Sequence, residues 1–143
     1  MAQIAALTVN DGAATPVAHT FAVQKAGNQP TPNTTLSAWE DRTSGFVVGY
    51  NRISILGRYP DKNNRSTKVS IKISAPILET VSNNTVSGIA PAPTVAYTPM
   101  AMIEFICPER SSLQSRKDLL AFVRNTLTQA FVTSAVQDGD FPY

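Results

Sequence analysis

The sequence predicts an α+β fold, an antiparallel sheet followed by helices that cover one of its faces. Two observations predict it. Alternation of apolar and polar side chains runs through the chain as far as Pro108, and the three- and four-residue spacing of an amphipathic helix begins only after it. The 143 residues suit one domain with a core of its own, so residues 1–143 are expected to form a single unit.

Taken in order, "QIAALTV", "NDG" and "TPVAHTFAVQ" read as a hairpin within residues 1–24, two β-compatible runs around an Asp-Gly turn. Ala26 to Asn33, "AGNQPTPN", is a loop by its Gly, Pro and Asn content. The main sheet is expected over residues 36–108. It starts with a strand from Leu36 through Trp39 and a turn at Thr43 to Gly45, and continues with "FVVGYNRISILGRY" as one long strand. "PDKNN" then turns the chain, and Thr67 to Pro76 runs back. An exposed irregular loop over 80–96 carries "SNNTVSGIAPAP", and "YTPMAMIEFICP" is a last strand stopped by Pro108. Ser111-Ser112-Leu113-Gln114 offers a Ser-x-x-Gln capping box for the helical region 111–138. There Leu119, Phe122, Val123, Leu127 and Ala130 form an apolar stripe, with a break near Thr128 to Thr133 and an end at Gly139.

Charged residues make up 15% of the chain, against about 25% in ordinary globular domains. Ser and Thr number twenty-seven against twenty-two charged residues. Such a surface costs less to desolvate than a charged one, which suits a protein that buries its outside against copies of itself. The net charge of +2 is too small to diagnose a nucleic-acid binder, so position matters more. Arg52 to Ser74 holds six of the twelve Lys and Arg with a single acid, Asp61.

On the returning strand Lys68, Ser70, Lys72 and Ser74 share one parity, and Val69, Ile71 and Ile73 the other. On the strand before it Arg52, Ser54, Leu56 and Arg58 share a parity. Antiparallel pairing makes the two polar sets neighbours on one face. The apolar side needs a cover, and the C-terminal helix is the only amphipathic element in the sequence to supply it. Lysines on strands also keep sheet edges from pairing with other chains. Edge protection needs only one or two bases on the outermost strand, whereas here they recur on two strands. A broad Arg, Lys and Ser face binds phosphates through charge, and sugars or bases through hydroxyls. The candidate RNA-binding residues are therefore Arg52, Ser54, Arg58, Lys68, Ser70, Lys72 and Ser74. Single-stranded nucleic acid fits such a sheet better than duplex DNA, since no recognition helix is evident.

Catalysis is not expected. His19 is the one histidine and sits in a strand with no nucleophile motif beside it. Glu40 and Asp41 are adjacent and point to opposite faces of a strand. Cys107, the lone cysteine, excludes an intrachain disulfide and reads as a small buried hydrophobe. No phosphate-cradling Gly loop, zinc spacing or calcium loop occurs, so neither a cofactor nor a metal is expected. "MAQIAALTVN" lacks the basic start and long apolar run of a secretion signal, and no later stretch is built to span a bilayer, so no membrane partner is expected.

Several strings carry a resemblance by their order and spacing. They are "SAW" at Ser37 to Trp39, "NRSTKVSIKISAP" ending at Pro76, "MAMIEFICP" ending at Pro108, the Ser-capped helix, and the terminal "SAVQDGDFPY". With the hairpin and the Asn/Gly/Pro loop they cover nearly the whole chain, which resembles the coat proteins of single-stranded RNA bacteriophages, the levivirus type. The resemblance implies an N-terminal hairpin, a five-stranded antiparallel sheet and two C-terminal helices. It implies an obligate homodimer with sheets joined edge to edge and each subunit's helices crossing over the partner's sheet, so that part of the cover for Ile71 and Ile73 comes from another chain. Dimers then close into an icosahedral capsid, the virion, assembled in the bacterial host cytoplasm. The loop from about Ser82 to Pro93 makes contacts around symmetry axes, and the concave sheet face looks inward at the genomic RNA.

In relatives, small hydroxyl residues and a lysine form a pocket for an unpaired adenine of an RNA hairpin, matched here by Ser54, Ser70 and Lys72. The bound hairpin also lets the coat repress translation of the replicase. Tyr97 is a further candidate to stack on a base. Two positions depart from the pattern: Leu56 stands where well-known relatives are polar, and Met102 where a polar base contact is expected. These departures favour packaging of RNA in general over recognition of one hairpin. The alternative is a dimeric RNA-binding regulator that makes no shell.

Overall fold

The computed structural model describes residues 3–79 and 91–142, so most of the loop expected over 80–96, with its contacts around symmetry axes, lies outside the described residues. Two compact units divide the chain, Met1–Ile106 and Cys107–Tyr143. The first holds strands Leu7–Asn10 (β1), Ala18–Asn28 (β2), Thr34–Asp41 (β3), Asn51–Arg58 (β4), Ser66–Ser74 (β5), Ile77–Leu78 (β6), Val95–Tyr97 (β7) and most of Met100–Pro108 (β8). One sheet has the order β1-β2-β3-β4-β5-β8, and β6 pairs with β7 in a separate ribbon.

The expected five strands are thus six, because the N-terminal hairpin is continuous with the sheet. β2 runs on to Asn28 and pairs with β3, through irregularities between Val23 and Lys25 and between Lys25 and Asn28. Gly27, at φ 62°, supplies the left-handed residue that such a bulge needs. The loop expected from Ala26 therefore begins only after Asn28. The β1–β2 connection is also longer than an Asp-Gly turn. Asp11 closes it, its Oδ1 accepting from the N–H groups of Ala13 at 3.2 Å and Val17 at 2.9 Å.

"FVVGYNRISILGRY" is not one strand. Val47–Gly49 forms a 3-10 turn and β4 starts at Asn51. At the end of this turn a Cβ on Gly49 would lie 2.9 Å from Cγ and Cδ1 of Leu78, so glycine accommodates the leucine without displacing it. "YTPMAMIEFICP" is likewise divided, with Val95–Tyr97 in the ribbon and Met100–Pro108 beside β5. The β4–β5 turn is held by Asp61, whose Oδ1 accepts from the N–H groups of Asn63 at 2.8 Å and Asn64 at 2.7 Å.

Phe21, Trp39 and Ile53 form the buried cluster, with Ile4, Leu7, Val23 and Ile55 packed against it. Trp39 Nε1 donates to the Ala5 carbonyl at 2.8 Å. The N-terminal segment therefore covers the apolar face over β2–β4. Ile73, further along that face, stays 40% exposed.

The second unit holds helices Leu113–Leu127 (α1) and Ala130–Gln137 (α2). Ser112, not Ser111, is the N-cap and accepts from the Ser115 N–H at 3.1 Å. Gln114 turns to Asp118 instead of back to the cap, with its Nε2 2.7 Å from Oδ1. The break at Thr128 and Gln129 and the end at Gly139, φ 71°, fall where the spacing predicts. No side chain of either helix is buried, and Phe122 is 67% exposed.

His19 ties the hairpin together. Its Nδ1 lies 2.7 Å from Asp41 Oδ2 and its Nε2 3.5 Å from Asp11 Oδ2. The hydrogen bond to Asp41 raises the imidazole pKa, against desolvation, and Asp11 adds to the rise. Burial works to raise the Asp41 carboxyl, but hydrogen bonds from Thr43 and His19 outweigh it and hold it below the usual range. Asp11 is lowered chiefly by the backbone N–H groups of Val17 and Ala13.

A raised imidazole stabilises the fold below its ordinary pKa of about 6.5, and the contribution is lost as pH climbs through the raised value. The lowered carboxylates stabilise it above about pH 4, a contribution lost as pH falls through their depressed values. The melting-temperature advantage of the native protein over His19→Gln is therefore expected to be widest at about pH 5–6 and to shrink in alkali. Gly49→Ala, which must push Leu78 aside, is expected to cost about 1–3 kcal/mol in denaturant unfolding.

Candidate nucleic-acid interface

β4 and β5 pair without a shift: Arg52↔Ser74, Ile53↔Ile73, Ser54↔Lys72, Ile55↔Ile71, Leu56↔Ser70, Gly57↔Val69 and Arg58↔Lys68. Every second pair faces the same way. Arg52/Ser74, Ser54/Lys72, Leu56/Ser70 and Arg58/Lys68 therefore share one face, which brings all seven sequence-predicted residues together. Ile53, Ile55, Ile71 and Ile73 turn to the other, where Ile53 joins the core.

The polar face carries two adjoining hollows. The larger, about 410 Å³, is lined by Ser54, Leu56 and Arg58 of β4, Lys68, Ser70 and Lys72 of β5, Thr34 and Leu36 of β3, and Met102 and Glu104 of β8. The smaller, about 240 Å³, holds Arg52 and Ser74 with Gln24 and Ala38, and shares Ser54 and Lys72 with the first. Leu56 and Met102, the two departures, thus lie among the basic residues. Tyr97 does not join them; it belongs to the β6–β7 ribbon and is 63% exposed.

The cations are not equivalent. Lys68 Nζ is 2.8 Å from Glu104 Oε1, and Ser70 Oγ donates to the same oxygen at 3.1 Å. Those bonds, from Lys68 first and then Ser70, hold the Glu104 carboxyl below its ordinary pKa. Glu104 also offsets the repulsion between Arg58 and Lys68, which stand directly opposite each other. Among the described residues no carboxylate pairs with Arg52, Arg58 or Lys72. Arg52 is exposed and donates from Nη2 to the Val47 carbonyl at 3.3 Å, so the 3-10 turn orients it. Arg58 reaches Ser66 Oγ at 3.5 Å, while its Nε is a buried donor with no partner among the described residues.

Glu104 is the site residue that sequence reasoning missed. Parity with Met102 signals that both share a face, but only the crossover placing β8 beside β5 shows that this face is the basic one. Glu40 and Asp41 do diverge: Glu40 accepts from Arg42 at 2.7 and 2.8 Å, and Asp41 meets His19. Among the described residues no group of three or more His, Cys, Asp or Glu is arranged to hold a metal, and no helix is long and apolar enough to cross a membrane.

Residues 2–143 match the family described as Levivirus coat protein. The chain is similar to the solved "Virus-like particle of bacteriophage ESE058", with 37% identity and a TM-score of 0.88 over 99% of this chain and 100% of that one. It is similar to the "Virus-like particle of bacteriophage NT-214" at 33% identity and a TM-score of 0.86, again over 99% and 100%. With the "Virus-like particle of Beihai levi-like virus 21" it shares the fold, at 18% identity and a TM-score of 0.79 over 99% of each chain. No curated protein matches it. The chain belongs to the levivirus coat protein family, and is a structural capsid protein of the virion, not an enzyme.

Proposed function

We propose that this coat protein packages single-stranded RNA against the β4–β5 face, as a homodimer that closes with its copies into an icosahedral shell. The observation that carries the RNA reading is the unshifted ladder, which gathers Arg52, Ser54, Arg58, Lys68, Ser70, Lys72 and Ser74 on one side of the sheet. Arg52, Arg58 and Lys72, free of carboxylates among the described residues, are the phosphate-binding cations. Three such contacts give a log–log salt slope of roughly −2 for single strands. The hydroxyls of Ser54, Ser70 and Ser74 stand between them, suited to ribose and base edges. Ser54, Ser70 and Lys72 line one hollow, which supports a base being seated there. Leu56 and Met102 in the same hollow offer apolar contact without hydrogen-bond readout, which favours general packaging over one hairpin and over replicase repression.

The dimer reading has separate support. β8 borders the main sheet, and among the described residues no strand pairs with its outer edge, which over nine residues invites pairing with another copy. The stripe of α1 is exposed in the single chain, as is Ile73 on the apolar sheet face. Two chains that lay their helices over each other's sheets cover both, at about 1.5–3 kcal/mol for each large apolar side chain buried. Such a subunit has little reason to persist alone.

Expression in bacteria is expected to yield nuclease-protected RNA inside particles sized by light scattering. A small monomer under all conditions overturns the capsid reading, and a dimer that never grows leaves the regulator in its place. Arg52→Ala with Lys72→Ala is expected to weaken RNA binding roughly tenfold at about 0.1 M salt and to flatten the slope by about 1.4. Phe122→Glu puts a charge where the dimer needs apolar cover, and is expected to leave dissociated or aggregated chains in size-exclusion chromatography.

A further inference from the structure

Within the polar face one carboxylate stands where attraction for a polyanion should be greatest. Glu104 Oε1 receives both Lys68 Nζ, at 2.8 Å, and Ser70 Oγ, at 3.1 Å. Two of the seven candidate RNA contacts are therefore engaged before RNA arrives. The pair is open to exchange, with the Lys68 side chain 32% and the Glu104 side chain 41% exposed. We propose that Glu104 is a built-in counterion, which RNA phosphate must displace from Lys68 and Ser70, so that it limits how indiscriminately this face binds polyanions. The inference rests on the RNA reading above and adds to it a residue that sets specificity.

The consequences are physical. A phosphate reaching for Lys68 either takes the place of the carboxylate or sits beside it as a like charge. Phosphates are thereby steered to Arg52, Arg58 and Lys72, and the centre of the hollow, with Leu56 and Met102, is left for a base. The Lys68–Glu104 pair has no net charge, so RNA lying over it releases no counterion. A freed Lys68 releases about 0.7 more per phosphate bound to single-stranded RNA. A purely structural Glu104, serving only to join β5 to β8 and to separate Arg58 from Lys68, changes stability and leaves none of these marks on binding.

The test compares RNA-free dimers of the full chain and of its Glu104→Gln variant, in which this face is open to solvent, with a uridine homopolymer and inorganic polyphosphate as probes. Glu104→Gln is expected to bind both roughly two- to fivefold more tightly, with a slope steeper by about 0.7. The gain should vanish when Lys68→Gln is added. An unchanged or weaker affinity overturns the inference, and so does a gain that survives Lys68→Gln, since that is repulsion at a distance and not an exchanged pair. If Glu104→Gln does not fold as a dimer, the double variant Lys68→Gln with Glu104→Gln decides: it removes a pair with no net charge and is expected to lose clearly less affinity than Lys72→Gln, and equal losses overturn the proposal. Failure of the RNA reading itself is a different result, namely no loss from Arg52→Ala with Lys72→Ala.

Discussion

Both sides of this protein depend on the register of one strand pair. Seven consecutive residues of β4 meet seven of β5 with no bulge, while β2 and β3, one strand away, slip twice. A shift of one residue would send Arg52, Ser54 and Arg58 to the face of Trp39 and bring Ile53 and Ile55 to the polar one. One turn anchors the start of β5. Asp61 fixes it by accepting from the N–H groups of Asn63 and Asn64. Ile53, opposite Trp39 and packed with it and Phe21, fixes which face of β4 turns to the core, and Ile71 and Ile73 of β5 follow it to that face through the unshifted pairing. The arrangement of the basic face thus follows from packing on the face behind it.

That order of causes explains the sparing use of charge. A chain with 15% charged residues keeps half of its Lys and Arg in one hairpin, where Arg58 and Lys68 are forced opposite each other. Serines at alternate positions dilute the repulsion and keep hydrogen-bonding capacity. Glu104 enters from β8 to offset what remains. The face is accordingly less positive at its centre than its residue list suggests, and its unpaired cations are Arg52, Arg58 and Lys72 among the described residues.

What was legible in the sequence was whatever depends on local period. The parity of Arg52 to Arg58 and of Lys68 to Ser74, the helix break at Thr128 and the Gly139 stop all follow from neighbours along the chain, and the structure places them as read. Contacts between distant segments were not legible. Val47 and Val48 favour a strand by propensity, yet they lie in a 3-10 turn, and Leu78, some thirty residues on, packs where a side chain at Gly49 would be. The link of His19 to Asp11 and Asp41, and that of Glu104 to Lys68, each join segments more than twenty residues apart or meet across a long turn. The local signals show a hairpin at the N-terminus, and nothing local shows that the Trp39 indole reaches the Ala5 carbonyl.

Under the proposed function the two faces are not independent, because they are two sides of a single layer of strands. RNA on one side relieves the repulsion between Arg58 and Lys68, which otherwise falls to Glu104 alone. A partner chain on the other side covers Ile73, which a single chain leaves exposed. Each event binds only the paired, correctly registered sheet, so each stabilises the form that the other needs. Glu104 sits on β8, the strand that borders the sheet, and its contacts hold that strand to β5. On this proposal the residue that would moderate RNA binding is carried by the strand that would meet the second subunit, which would give assembly and packaging a common mechanical element. Coupling of this kind needs no conformational switch; it follows from making one thin sheet serve two ligands on opposite faces.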